Sequence, residues 1–516
     1  MSVESPSATI ERPQTQPSRW SLTNRSLTNW ALTNWALTNR ANVLGWIGVA
    51  GITAVVAATW ATTLTAAYGD NHEGRVFSRF ALQVRNLAEH GLVGSQFATD
   101  MAPYGRSYAH HPPLATILDA LFSALPGEGE YQMRLAPYLL GLLAIPAAAA
   151  LLRAFDLRWP PVLAALGLMV VTGFFWVYAR IVFDLGLLMA MAAAIAHVRL
   201  QAQPSRRLLV VACVTSFLAT LGSWPGIALA ALLGLWLLSG RRRVDRVTVA
   251  VAVSMVAGLL GSLAFMLGVA GVSNLSAQTR FRTEGGDFTV REFVVQQWLW
   301  FRQLLPVWYL ALLPVGVVVG LLRRRTRAFT ALATALAVGW VVLLPNGSFI
   351  HDYWPYIVLI PGVVGMAALL DAVWARVPAG LGTLRGCVAG LVALGLVVAF
   401  AAMVRGPMAR DYIVRPLDGG TLVADHGPAP GQVRAWHISF GAVRWLAYYW
   451  DLAPAKVLPE NASMARPDDL ALMHLDRIPE WLPASVADQP VAREGRYVLV
   501  RMADVQAALR HRAPGE

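Results

Sequence analysis

Residues 43–74 read VLGWIGVAGITAVVAATWATTLTAA followed by YGDNHEG. The first 25 positions carry no charge, and Asp70, His72 and Glu73 then fall within four residues. As a helix rising 1.5 Å per residue, a run of that length covers the roughly 30 Å hydrocarbon core of a bilayer. The ionisable cluster therefore belongs where a span leaves the membrane. Working outward, apolar runs recur at 131–152, 160–179, 184–200, 208–222, 224–239, 247–269, 306–322, 328–345, 355–371 and 386–404, which gives about eleven spans.

Composition agrees. Of 516 residues, 56% are hydrophobic and 14% charged, against about 25% charged in soluble domains. The formal charge of +12 is almost wholly arginine, with Lys456 the single lysine. These arginines sit in short breaks between apolar runs, so topology and anionic lipid explain them, and no nucleic-acid partner is expected. Cys213 and Cys387 lie inside apolar runs and read as small buried hydrophobes.

The breaks alternate in kind. One set is short and basic: Arg153/Arg158, Arg199/Arg206/Arg207, Arg241/Arg242/Arg243/Arg246, Arg323/Arg324/Arg325/Arg327 and Arg376/Arg385. The positive-inside rule puts them in the cytoplasm of a cell (plasma or inner) membrane, with the N-terminal tail. That tail, 1–42, lacks a signal-peptide pattern and repeats a five-residue unit from Ser21 to Arg40. A period of five matches neither helix nor strand, so a flexible or interfacial tail is expected.

The other set of loops is long and rich in ionisable groups: 68–130, 270–305 and 346–354. The spans and these loops make up a transmembrane domain over 43–405, and 406–516 follow as an extracytoplasmic domain. Strand-like runs at Leu422–Ala424 and Tyr497–Val500, with a helical stretch around Val433–Trp450, suggest a small α/β fold there. The expected fold class is an all-α polytopic membrane protein with that C-terminal α/β domain. Its chemistry belongs on the outer face.

Two elements of the first outer loop stand out. Asp70 and Glu73 follow the first span directly, where partial desolvation favours a raised carboxyl pKa and suits a general base. Three residues apart, they are placed to share one helical face. At the loop's far end, Tyr108-Ala-His110-His111-Pro112-Pro113 ends in two prolines that stop a helix and hold the histidines at the surface. Solvated histidines on a Pro-Pro turn are the plainer reading. With a carboxylate they leave a divalent metal open, although no ligand spacing fixes one.

Together these motifs resemble the GT-C integral-membrane glycosyltransferases of the protein O-mannosyltransferase and aminoarabinose transferase branch. That branch has acidic residues after the first span and a His-Pro or Lys-Pro-Pro element about 40 residues later; Asp70 and His110–Pro113 match these. Tyr178-Ala-Arg180 with Asp184 resembles its Arg…Asp pattern, and Phe349-Ile-His351-Asp352-Tyr353-Trp354-Pro355 its late outer loop. Here Asp70 and Glu73 are separated by Asn71 and His72, where the branch has an adjacent Asp-Glu pair. The resemblance covers about 43–405.

The resemblance implies an inverting transfer from a polyprenyl-phosphate sugar to a hydroxyl on a lipid, glycan or protein. Asp70 is the implied base, with Glu73 beside it. Arg134, Arg180, His110, His111 and His351 are candidate contacts to the donor phosphate. Tyr108, Asp352, Tyr353 and Arg291 are candidates for the acceptor or for a lid, together with an interfacial helix over Thr289–Leu305. No cofactor is implied with certainty. The competing functions are a transporter or lipid-linked-sugar flippase, which places its charges nearer the midplane, and a non-catalytic envelope scaffold.

Overall fold

The computed structural model describes residues 21–99, 111–127, 129–180, 184–202, 205–241, 244–284, 286–378, 382–406, 418–438 and 443–511. Tyr108 and His110 lie outside them. The chain forms two units, Met1–Gly48 and Val49–Glu516. In the first, helix begins at Ser21, inside the five-residue repeat; α1 is Ser21–Ala61. Once an apolar span has nucleated a helix, each added residue costs little, so the repeat's Leu and Ala positions continue it.

The second unit is mostly helix. After α1 come α2 (His72–Gly94), α3 (Leu114–Ser123), α4 (Tyr131–Ala154), α5 (Trp159–Val170), a π-helical turn at Phe174–Tyr178, α6 (Asp184–Ala202) and α7 (Arg206–Gly222). Next are α8 (Trp224–Arg241), α9 (Arg246–Thr283), α10 (Val290–Leu304), α11 (Val307–Leu322), α12 (Arg327–Leu343) and α13 (Pro345–Ile350). A 3-10 turn at Trp354–Val358 leads into α14 (Leu359–Arg376), and α15 (Gly382–Arg405) closes the bundle.

Each expected span falls on helix. Among the described residues five helices are long and apolar enough to cross a membrane, and α10 with α11 makes a sixth if that pair, bent by 110°, is one span. Other expected spans fall on shorter apolar helices, such as Trp159–Val170 and Arg327–Leu343. Short or broken helices are tolerated at membrane depth when neighbouring helices surround their ends. The expected interfacial helix over Thr289–Leu305 is α10. A reciprocal capping box between Thr289 and Glu292 starts it, and Val294, Val295 and Trp298 are exposed along it.

The C-terminal part is α/β, as expected, with α16 (Gly420–Asp425), α17 (Arg444–Trp450) and α18 (Met502–His511) around five strands. These are β1 (Ala435–His437), β2 (Pro454–Lys456), β3 (Leu470–His474), β4 (Ala492–Glu494) and β5 (Tyr497–Arg501), in the order β2-β1-β3-β5-β4. β1 is parallel to β2 and β3, and β5 is antiparallel to β3 and β4. Two local readings fail. Leu422–Ala424 is helical, within α16, and β1 occupies the start of the stretch expected to be helical. Three apolar residues fit either period, so burial beneath the sheet decides.

One apolar core joins bundle and sheet, running from Trp60, Tyr68 and Tyr138 through Trp176 to Trp445, Tyr497 and Leu499. Glycines permit the closest helix approaches. A methyl group built on Gly141 of α4 would overlap the carbonyl oxygen of Ala179, just before Arg180. We expect Gly141→Ala to shift the Arg180 segment and cost about 1–3 kcal/mol, as overpacking does. Thermal unfolding of the purified variant measures this; an unchanged midpoint would contradict the packing described.

Candidate active site

The segment after the first span is held from both sides. Asn71 caps α2 by accepting from the Gly74 amide at 2.7 Å. The Asp70 amide donates to the Asp418 carbonyl at 3.1 Å, and Asn71 donates to the Asp418 carboxylate. Gly420 packs against the Tyr68 backbone so closely that it admits no side chain. Because the helix starts at His72, Asp70 lies before its first turn. The two carboxylates do not share a face; they point into different surroundings.

Asp70 faces the C-terminal sheet. Its Oδ1 accepts from Arg75 Nε at 2.9 Å, with Arg75 Nη2 at 2.7 Å. Its Oδ2 accepts from the Tyr497 hydroxyl at 3.2 Å and lies 3.6 Å from Arg477 Nη1. The carboxylate side chain is only 5% exposed. Burial, then the charge of Asp70, raises the Tyr497 phenol and keeps it a hydrogen-bond donor.

Glu73 faces the bundle. Its Oε1 accepts from the Tyr138 hydroxyl at 2.6 Å and lies 3.5 Å from Arg134 Nε, and its Oε2 accepts from Arg180 Nη2 at 2.8 Å. Arg134 also donates to the carbonyls of Leu64 and Ala66, where α1 has just ended. Arg180 donates to Thr63 Oγ1 at 3.3 Å and packs over the Trp60, Tyr138 and Trp176 rings. Both arginines are buried, at 0% and 1% exposure. Two guanidiniums against one carboxylate leave a net charge of +1. Arg134 Nε and Nη2 and Arg180 Nε have no hydrogen-bond acceptor among the described residues.

The π turn at Phe174–Tyr178 precedes Arg180 by two residues, and such turns recur at functional sites because they re-aim side chains. It sends Tyr178 toward the loop at 346–354, where its hydroxyl donates to Asp352 Oδ1 at 2.7 Å. The His72 ring meets Tyr178 edge-on at 5.5 Å, and Tyr353 packs on Tyr178 at 5.6 Å. His351 stacks on Tyr353 at 4.9 Å, and Arg282 from the end of α9 sits over Trp354 at 5.7 Å. Burial lowers the His72 imidazole, opposed by the Asp352 carboxylate. Burial, then the Arg282 guanidinium, pushes His351 down to about 4.

The candidates thus separate. Glu73, Arg134 and Arg180 meet in one buried cluster; His351, Asp352 and Tyr353 form a second with His72 and Tyr178. Asp70 is held by Arg75 and by Arg477 and Tyr497 of the sheet domain. His111 is half-buried ahead of α3, and Arg291 is exposed on α10. Tyr449 is a docking residue: it accepts from the Tyr68 amide at 2.7 Å and donates to Glu130 at 2.6 Å. Sequence reasoning passed over His72, Tyr138, Arg75, Arg477 and Tyr497. Only His72, inside the quoted acidic motif, carried a signal. Among the described residues, no group of three or more His, Cys, Asp or Glu side chains is arranged to hold a metal ion.

The histidines make stability depend on pH. His351 and His437 are both pushed from the usual 6.5 to about 4 by burial, with Lys456 adding to His437. The unfolded chain takes up these protons first. Stability present above pH 6.5 should therefore fall between about pH 6.5 and 4. Unfolding temperature against pH measures this, and His437→Gln should flatten the slope.

No protein-family model matches the sequence, and no curated protein does. Solved structures do. ArnT from Cupriavidus metallidurans in the apo state aligns at TM-score 0.51 and 18% identity, over 91% of this chain and 99% of that one. The chain shares the ArnT fold. ArnT bound to undecaprenyl phosphate aligns at TM-score 0.50 and 17% identity, over 89% and 98%. The Saccharomyces cerevisiae protein O-mannosyltransferase Pmt1–Pmt2 complex bound to its sugar donor aligns at TM-score 0.30 and 18% identity, over 49% of this chain and 36% of that one. The ArnT alignments span bundle and C-terminal domain alike, and the fold is the GT-C fold expected from the sequence.

Proposed function

We propose that this chain transfers a sugar from a polyprenyl-phosphate donor to a hydroxyl acceptor at the outer membrane face, with inversion. The observation that carries this is the buried Glu73–Arg134–Arg180 cluster. An uncompensated buried charge is costly, and buried guanidinium donors without acceptors call for an anion. A lipid-linked phosphate arriving at the end of a span supplies one, and the ArnT fold is one that accommodates undecaprenyl phosphate. The Asp70 end of the bundle is the outer face because the short basic loops lie at the other end.

In this reading the acceptor oxygen attacks the anomeric carbon. The carbon–oxygen bond to phosphate breaks with its electron pair leaving on the phosphate, and the hydroxyl proton passes to Asp70. Arg134 and Arg180 bear the developing phosphate charge, with His110, His111 and His351 as further contacts. Being neutral at pH 7, His351 contributes an N–H rather than a charge. Arg75 and Arg477 hold the Asp70 carboxylate in place. Asp352, Tyr353, Tyr108 and Arg291 are assigned to the acceptor side.

One observation favours a second choice of base. Both Asp70 oxygens are occupied, whereas burial keeps His72 neutral and so able to accept a proton beside Asp352. The two acid–base assignments make opposite predictions for Asp70→Asn and His72→Gln.

Donor binding tests the phosphate assignment separately from turnover. The purified chain should bind undecaprenyl phosphate, and Arg180→Gln should weaken that by about tenfold, the loss of one charge-assisted contact. Equal affinity in wild type and variant would remove Arg180 from the donor site.

A further inference from the structure

At the opposite end of the bundle, the α4–α5 and α11–α12 connections and α14 line a half-open cavity of about 330 Å³. The far end of α4 carries Arg134. At 1.5 Å per residue the 24 residues of α4 span about 36 Å, so a full hydrocarbon core separates this cavity from the acidic cluster. Asp371, 8% exposed at its side chain, organises one wall: its Oδ2 pairs with Arg323 Nη1 at 2.8 Å. Its Oδ1 accepts from the Arg158 amide at 3.1 Å and lies 3.3 Å from Arg158 Nη1. Arg325 pairs loosely with Asp156 at 3.6 Å, and Arg324, also lining the cavity, has no ion-pair partner among the described residues. Four guanidiniums thus face two carboxylates, an excess of +2 around a space large enough for a small anion.

We infer that this cavity is a binding site for a phosphate-bearing anion, and that the occupant is the headgroup of an anionic phospholipid. Charge and planar donors select phosphate. The lipid source follows from α11, where Leu312, Val315, Val318 and Leu322 are exposed at helical spacing and end beside Arg323. An acyl chain lying along that row places its headgroup in the cavity, the arrangement that basic pockets between membrane helices use. The site is separate from the transfer site, and its test is independent of the proposed function.

The test is titration of the purified full-length chain in uncharged detergent with phosphatidylglycerol, phosphatidylcholine or inorganic phosphate, read as an apparent Kd. The doubly substituted Arg324→Gln/Arg325→Gln chain leaves the Asp371 pairs intact, and Arg246→Gln removes a basic-loop charge outside the cavity. Phosphatidylglycerol should bind saturably and more tightly than phosphatidylcholine. The double variant should weaken it by about tenfold or more, while Arg246→Gln leaves it unchanged. Inorganic phosphate binding as tightly, with the same loss in the double variant, would keep the phosphate site and overturn the lipid assignment. Equal binding by wild type and double variant, or an equal loss in Arg246→Gln, would show diffuse surface charge and overturn the site.

Discussion

Asp70→Asn is expected to lower turnover of a polyprenyl-phosphate sugar by about 10²–10⁴-fold, the range that general bases contribute. Asparagine keeps the size of the side chain and can still accept from Tyr497, but it cannot take the acceptor's proton. Donor affinity should change little, because Arg134 and Arg180 lie on the other side of the α2 start. The effect therefore belongs in kcat. His72→Gln is the paired measurement. If it removes turnover while Asp70→Asn keeps it, proton transfer belongs to His72, and Asp70 is a strut between the start of α2 and the C-terminal sheet.

Glu73→Ala is expected to be the most destabilising single change. It leaves Arg134 and Arg180 buried with no counter-charge, and breaking a buried pair in this way costs about 3–5 kcal/mol. Tyr138 also loses its acceptor at 2.6 Å. Adding Arg180→Met to Glu73→Ala should recover part of the loss, since one guanidinium is then stranded instead of two. Unfolding midpoints of wild type, the two single variants and the double variant give the coupling directly. If the double variant is as unstable as the sum of the singles, the cluster is not coupled as its geometry indicates. A stable Glu73→Gln chain that loses turnover as completely as Asp70→Asn would move Glu73 from support to chemistry.

The bundle was legible because lipid leaves few choices: a backbone crossing hydrocarbon must be helical, and its side chains must be apolar. The runs at 131–152 and 386–404 accordingly sit on α4 and α15. The acidic junction was legible for the same reason, since three ionisable groups beside a span have nowhere to be but its end. What was hidden depends on contacts distant in sequence. Arg477 and Tyr497 reach Asp70 across about 400 residues, and no local pattern announces that. The π turn leaves no periodic trace in five residues. Asp70 and Glu73 diverge because Asn71 caps the helix one residue after Asp70, a boundary that pattern reading places only within a few residues. Leu422–Ala424 misled because three apolar residues fit helix and strand equally.

The central claim is tested most directly by incubating the purified chain with a panel of polyprenyl-phosphate sugars and hydroxyl acceptors, with and without chelator. Release of free polyprenyl phosphate and formation of the glycoside are both measured. Stoichiometric appearance of the two products from one donor, lost in Asp70→Asn or His72→Gln, is the result predicted here. Movement of the intact donor between leaflets of reconstituted vesicles, with no cleavage of the sugar–phosphate bond under any pairing, would contradict it and assign the chain to lipid-linked-sugar transport.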